Sequence, residues 1–495
     1  MGEHILSIDV GTTGCKATLF DREGHVVVDA YREYDFSIPR HDWAEQDPTK
    51  WWNATQEVVK ETLTKSKIPP DDIRGVGITG QSPAVLPIGK DGHPLRPVII
   101  WMDQRATRQS LSIEKEIGKK MDPTDFIPKI LWIKENEPDV YRNTYKFFEK
   151  AADYIAYRLT DRPILAALIP YDDVLATVES LKIDPGKLPE VKRADQIVGE
   201  ATSRVEETTG LRRGTPVVSS GVDGVCSIYG TGVMKVGEAV TVMGTSTCVD
   251  VCLEEKISDP QKRVWTTYNL VLERWVMAGC TNTSGASYKW FRDVFCQFEA
   301  KEAEETGARL YDLLDREAEK AKPGCRGLLF LPYLTGERSP IWDPDARGVF
   351  FGISWNHGKT DFLRSILEGA AFAWYDVIRT MEEAGAKINE IRLCGGGAKS
   401  SLWRQIKADV SGKPILLPEV TDASGLGAAI LAARAVGVYR NIQEATSNMV
   451  RIVDRKEPDD SRHDYYSRLF EIYREVYLNL KDTYKKTASL SREHA

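Results

Sequence analysis

Leu6, Ile8 and Val10 alternate with Ser7 and Asp9, the period-two pattern of a half-buried strand. Gly11-Thr12-Thr13-Gly14 interrupts it with a glycine at each end, and Ala17, Leu19 and Phe20 resume an apolar strand, so Leu6–Asp21 predicts strand, tight turn and strand. His25–Ala30 predicts a third strand. Asp47-Pro48-Thr49 predicts a helix start, with Pro just inside an acidic cap, running through Trp51, Trp52 and Val58 to about Lys65. Arg74–Thr79 reads as a short buried strand ended by Gly80-Gln81-Ser82-Pro83. Val98–Trp101 reads as another, followed by Met102-Asp103-Gln104-Arg105. Residues 106–214 read as mainly helical. Thr215–Ser219 is then a strand, leading through Gly221-Val222-Asp223-Gly224 into a small-residue helix, Val225–Gly230.

The pattern then repeats faintly. Glu238–Met243 predicts a strand and Gly244-Thr245-Ser246-Thr247 a second small-and-hydroxyl turn. A helix over 361–384 precedes a strand at Glu390–Cys394, as the helix over 48–65 precedes Arg74–Thr79. The composition shift at Val233–Gly237 places a domain boundary there, giving lobes 1–236 and 237–495. Two domains are also what a chain of 495 residues leads one to expect. Gly425–Val436 predicts a closely packing small-residue helix, and Asp464–Tyr484 an aromatic-rich terminal helix.

Composition narrows the class. A net charge of −7 argues against a nucleic-acid partner, and no 18-residue apolar run predicts a membrane span. Met1-Gly2-Glu3-His4 lacks the features of a signal peptide, and Arg492-Glu493-His494-Ala495 is not a prenylation box. The eight cysteines form no zinc pattern, which predicts free thiols in a reduced, cytoplasmic protein. A homodimer is compatible with all of this.

The candidate chemistry lies at strand ends. Asp9 before the Gly-Thr-Thr-Gly turn suits a metal–phosphate site, because successive N–H groups and hydroxyls cradle phosphate oxygens and the carboxylate holds hydrated Mg²⁺. The same pattern also fits a plain hairpin whose Asp caps the turn. Asp223 stands where a helix N-cap belongs, or offers a carboxylate at a strand end. Asp103 and Arg105 fit either a ligand site beyond a strand or a solvated, ion-paired helix start. Gly395-Gly396-Gly397-Ala398-Lys399-Ser400 lies between a strand and a helix, whose N-terminus favours anions. Two nucleotide motifs are excluded. Gly352–Thr360 has five residues between its glycines where a P-loop has four, and the glycine triplet lacks the offset of a dinucleotide fingerprint.

DVGTTGCK at 9–16, GVDG at 221–224, GTS at 244–246, LPYLTGERSPIWDPDARGVFFG at 331–352 and GGGAKSSLW at 395–403 occur in this order. Together they resemble the FGGY carbohydrate kinase family over nearly the whole chain, and most of all its xylulose kinase (pentulose kinase) branch. The resemblance implies an α/β chain of two actin-like, ribonuclease H-like ATPase lobes, with ATP, Mg²⁺ and a small sugar in a cleft between them. It implies Asp9 as the metal-associated aspartate, Gly11, Thr12 and Thr13 near the γ-phosphate, and Asp223 as general base. Gly244 and Thr245 would bind nucleotide phosphates, and Gly396, Gly397 and Ala398 the adenosine side. Gln81, Ser82, Pro83, Trp101 and Asp103 fall where the family shapes its sugar pocket. Gly80-Gln81-Ser82-Pro83 departs from the Gln-Met-His-Gly of xylulose kinases and the Asn-Gln-Arg-Glu of glycerol kinases. The segment Arg158–Thr177 is also shorter than usual. The expected activity is ATP-dependent phosphorylation of a ketopentose such as xylulose. The alternatives are another polyol or sugar, or an actin-like ATPase sensor.

Overall fold

A computed structural model describes residues 2–493. The chain divides into two compact units. The first comprises Met1–Gly232, Asn269–Glu273 and Asp422–Val450; the second comprises Val233–Tyr268, Arg274–Thr421 and Arg451–Ala495. A single cut at 236/237 therefore does not describe them, because the chain returns twice to the first unit. Among the described residues no helix is long and apolar enough to cross a membrane.

The first unit is built on β1 (His4–Val10), β2 (Gly14–Phe20), β3 (Val26–Glu33), β4 (Ile73–Gly80), β5 (Ile197–Glu200) and β6 (Pro216–Val222). They form one sheet in the order β5-β6-β4-β1-β2-β3. The hairpins β1–β2 and β2–β3 are antiparallel, and β1, β4 and β6 run parallel. Helix α1 (Pro48–Ser66) starts as predicted: Asp47 caps it by accepting from the Thr49 N–H, with Pro inside the first turn. Its Trp51, Trp52, Val58 and Val59 bury against the sheet core of Leu6, Ile8, Ala17 and Leu19. Helices α2 (Ala151–Thr160), α3 (Asp223–Gly230) and α4 (Ala423–Ala435) complete this unit's sheet packing. A second core, around Ile127, Ile130 and Ile133, supports Val85 and Ile99.

The region 106–214 holds more strand than its pattern predicts. Ile164–Ala167 and Glu190–Arg193 pair in parallel, and β5 edges the main sheet. Short apolar runs do not distinguish strand from helix by period, and here tertiary pairing decides. The strand expected at Val98–Trp101 stops at Ile99, because Asp103 N–H donates to the Ile100 carbonyl and turns the chain.

The second unit repeats the plan. Its strands are β7 (Glu238–Met243), β8 (Thr247–Leu253), β9 (Trp265–Asn269), β10 (Arg274–Thr281), β11 (Glu390–Cys394), β12 (Ile415–Pro418) and β13 (Ile452–Lys456). Their order is β9-β10-β8-β7-β11-β12-β13. Again two antiparallel pairs, β7–β8 and β8–β10, adjoin a parallel run of β7, β11 and β12. The long helix Lys359–Glu383 and the aromatic face of Asp460–Glu493, with Tyr466, Phe470 and Tyr473, fill its core. The cysteines differ from expectation in one respect: Cys248 and Cys280 form a disulfide. The β8–β10 register sets them directly opposite with Cα atoms 4.1 Å apart, a pairing that a separation of 32 residues conceals in sequence.

Candidate active site

In the first unit, three carboxylates gather at the ends of β1 and β6 and the start of α4. Asp9 is the penultimate residue of β1. Its Oδ2 accepts from the Ser424 hydroxyl at 2.5 Å, while its buried Oδ1 has no protein donor. Burial, reinforced by the charges of Asp422 and Asp223, raises the Asp9 carboxyl to about 7. Lys16 opposes them from β2, pairing with Asp422 at 2.8 Å and Asp29 at 2.9 Å. A buried, unpartnered carboxylate oxygen among further acids fits a hard divalent cation, which takes oxygen ligands.

Asp223 is not the N-cap expected from its position. Val222 caps α3, and Asp223 is the first helical residue, accepting from the Gly224 N–H at 2.6 Å. Burial raises its carboxyl to about 6. The third acid comes from the returning segment. Helix α4 reaches the site by packing backbone to backbone on α3: a Cβ on Gly427 would lie 1.9 Å from the Cys226 carbonyl oxygen, so only glycine permits this approach. Nothing in the motif order pointed to Ser424 or Asp422, which act through this packing.

The turn after β1 is closed by Gly11 N–H donating to the Gly14 carbonyl at 2.9 Å. Among the described residues the N–H groups of Thr12 and Thr13 meet no backbone acceptor. The expected sugar-side residues divide. Ser82 and Pro83 are half-buried, and Trp101 is half-buried with its indole N–H donating to Thr12 Oγ1 at 2.9 Å. Gln81 and Asp103 lie deeper. Gln81 is 2% exposed, with its amide spent on Gly11, Thr12 and Gln46. Asp103 is fully buried and accepts from Arg105 and from the Ala44 N–H. Both Gln81 donors and both Asp103 oxygens have protein partners. Asp103 instead anchors the Trp101 loop through Arg105, which also pairs with Glu45 at 2.7 Å.

The second unit holds a pocket of about 650 Å³. Gly244, Thr245, Gly396 and Gly397 line it together, with Tyr288, Trp290 and Tyr311. Ala398 does not line it; it is fully buried beneath, and its carbonyl accepts from Arg404 at 2.5 Å. The turn after β7 is held by Gly244 N–H donating to the Ser246 carbonyl at 2.9 Å. The helix Ser284–Phe295 abuts it, with Ala286 N–H donating to the Thr245 carbonyl at 3.0 Å. A Cβ on Gly285 would sit 2.2 Å from the Gly244 carbonyl oxygen, so this contact needs glycine. The aromatic lining carried no sequence signal, since tyrosines and tryptophans at helical spacing read equally as core.

The sequence profile of the FGGY family of carbohydrate kinases, N-terminal domain, matches residues 4–167, and that of the C-terminal domain matches 239–436. A xylulose kinase of Staphylococcus epidermidis is 30% identical over 507 aligned positions, covering 99% of this chain and 98% of that protein. The chain belongs to the FGGY family of carbohydrate kinases. A gluconokinase of Bacillus subtilis is 29% identical over 513 positions, covering 99% of each. The crystal structure of gluconate kinase from Lactobacillus acidophilus superposes with a TM-score of 0.86 at 25% identity, covering 98% of this chain and 100% of that one. This FGGY chain is therefore a sugar kinase of the two-lobe, actin-like class, and kinases of the family use ATP. The reading as an ATPase sensor gives way to it.

Proposed function

We propose that this FGGY kinase transfers the γ-phosphoryl group of ATP to a hydroxyl of a ketopentose such as xylulose. The observation that carries the reading is the gathering of Asp9 and Asp223 at the strand ends of the first unit, each with its carboxyl raised toward neutrality by burial. Asp223 is the general base. It takes the hydroxyl proton as the sugar oxygen bonds to phosphorus and the bond to the ADP oxygen breaks, and a carboxyl near 6 is ionised at pH 7 while still basic enough to help. Asp9, fixed by Ser424, would hold Mg²⁺ through its unpartnered oxygen, and the ion would supply charge neutralisation at the phosphates. Thr12 and Thr13 offer phosphate oxygens their backbone N–H groups, in the turn that Gly11 closes. The pocket of the second unit, with Gly244, Thr245, Gly396 and Gly397, binds the nucleotide.

The neutrality of the sugar side favours a ketose over gluconate. Ser82, Pro83 and Trp101 carry no charge. Lys129 touches these loops but is fully buried, donating to the carbonyls of Pro83 and Ile100 at 3.4 and 2.9 Å, and Arg105 is spent on Asp103 and Glu45. A gluconate carboxylate would lack a free cation there. The decisive measurement is initial rate against concentration for xylulose, gluconate and glycerol with Mg-ATP. Xylulose is expected to exceed glycerol in kcat/KM by at least about tenfold, which needs only ~1.4 kcal/mol of differential binding. Gluconate as the best substrate, or glycerol matching every ketopentose, overturns the assignment of the sugar.

A further inference from the structure

Two buried glutamines outside the chemistry above meet at the turn after β1. Gln46 lies just before the cap of α1 and Gln81 directly follows β4; each is 2% exposed. Gln81 Nε2 donates to the Gly11 carbonyl at 3.1 Å and to Gln46 Oε1 at 2.7 Å, and its Oε1 accepts from the Thr12 hydroxyl at 3.3 Å. Gln46 Nε2 donates to the Thr12 carbonyl at 2.6 Å and the Asp35 carbonyl at 3.3 Å, and its Oε1 also accepts from the Trp51 indole at 3.1 Å. Gln46 is thus fully paired and Gln81 has both N–H donors used, and three of their bonds fall on Gly11 and Thr12. The Trp101 indole N–H enters the same network by donating to Thr12 Oγ1 at 2.9 Å. The one hydroxyl hydrogen of Thr12 is given to Gln81, which leaves the backbone N–H as the donor Thr12 offers outward.

Two buried amides whose N–H donors are all paired favour one geometry, because displacing either amide strands the donors of the other in the interior. We infer that Gln46 and Gln81 are positioning residues that lock the Gly11–Thr12 turn, and that the Trp101 N–H closes this lock through Thr12. The inference rests on the proposal that the turn receives the phosphates of ATP. It assigns the glutamines to the phosphate end of the reaction and takes Gln81 away from the sugar.

The test uses the full-length enzyme with Gln46→Met, which keeps length and removes the amide, and Trp101→Phe, which keeps a ring and removes the N–H. Calorimetric affinity for the magnesium complex of AMP-PNP, kcat, and KM for the sugar are measured on each. Gln46→Met is expected to weaken AMP-PNP binding at least fivefold and to lower kcat at least tenfold, with the sugar KM within twofold. Trp101→Phe is expected to move the same two quantities in the same direction by a smaller factor. A rise in sugar KM with kcat and AMP-PNP affinity unchanged overturns the inference, as does no change in any of the three. If Gln46→Met fails to fold, Trp101→Phe decides alone. If the wild-type enzyme phosphorylates none of xylulose, gluconate and glycerol, the proposed substrate is wrong, and the AMP-PNP affinities still decide the lock: a fivefold loss supports it and unchanged binding overturns it.

Discussion

The two units carry the same sheet and the same turn, yet arm them differently. In the first, Asp9 pairs with Lys16 one step before a four-residue turn that separates Val10 from Cys15. In the second, Val242 pairs with Cys248 at the corresponding step, and three residues separate Met243 from Thr247. The carboxylate and its lysine are thus replaced by an apolar residue and a disulfide cysteine. After the next parallel strand, the first unit places a buried glutamine and the second a glycine triplet beside an aromatic pocket. One scaffold therefore yields a charged edge, suited to a cation and to proton transfer, and an open, ring-lined pocket suited to a planar ligand. Topology does not assign these roles; a few residues at strand ends do.

The sharpest way to break the comparison is to neutralise the base. Asp223→Asn keeps the hydrogen bond to Gly224 and removes the proton acceptor, and should cost roughly 10²- to 10⁴-fold in kcat with little change in nucleotide affinity. Near-full turnover of this variant in steady-state assays would return Asp223 to a structural helix residue.

The matching change in the second unit is Gly285→Ala. Its new Cβ must push the Gly244 carbonyl aside, so KM for ATP should rise by about tenfold, of the order of the 1–3 kcal/mol that overpacking costs. Sugar KM should hold steady. Equal damage to both constants would mean that the pocket is not confined to the nucleotide.

The smallest effect concerns the stability that the charged edge costs. The Asp9 carboxyl lies at about 7 in the folded chain, above the ordinary 3.8, so the native state binds more protons between these values and loses stability as pH rises through that window. Without divalent cations, Asp9→Asn should melt higher than the wild type at pH 8 by about 2–4 °C, the shift that ~1 kcal/mol makes in domains of 150–250 residues. The difference should vanish near pH 4. A wild type that melts higher than the variant at pH 8 would show that Asp9 is stabilised, not strained, by its surroundings.

Much of this was legible in the residue pattern. The strand–turn–strand of Leu6–Asp21, the capped helix at Asp47, the strands at Arg74, Glu238 and Glu390, and the duplication all follow from period and turn chemistry, which are local. So was the pairing of each glycine–hydroxyl turn with a strand end, because such turns need small residues and donors wherever they occur. The motifs likewise carried the family. What sequence alone left undecided depended on distant neighbours. Gln81 and Asp103 stand at pocket positions in the sequence, and only the fold shows them buried with partners on other loops. Ser424 and Asp422 join Asp9 across more than four hundred residues because α4 returns to pack on α3. Cys248 meets Cys280 through strand register alone. Local pattern determines where elements begin and which face is apolar. Which polar groups remain free for a substrate is decided only when the folded chain has satisfied the rest.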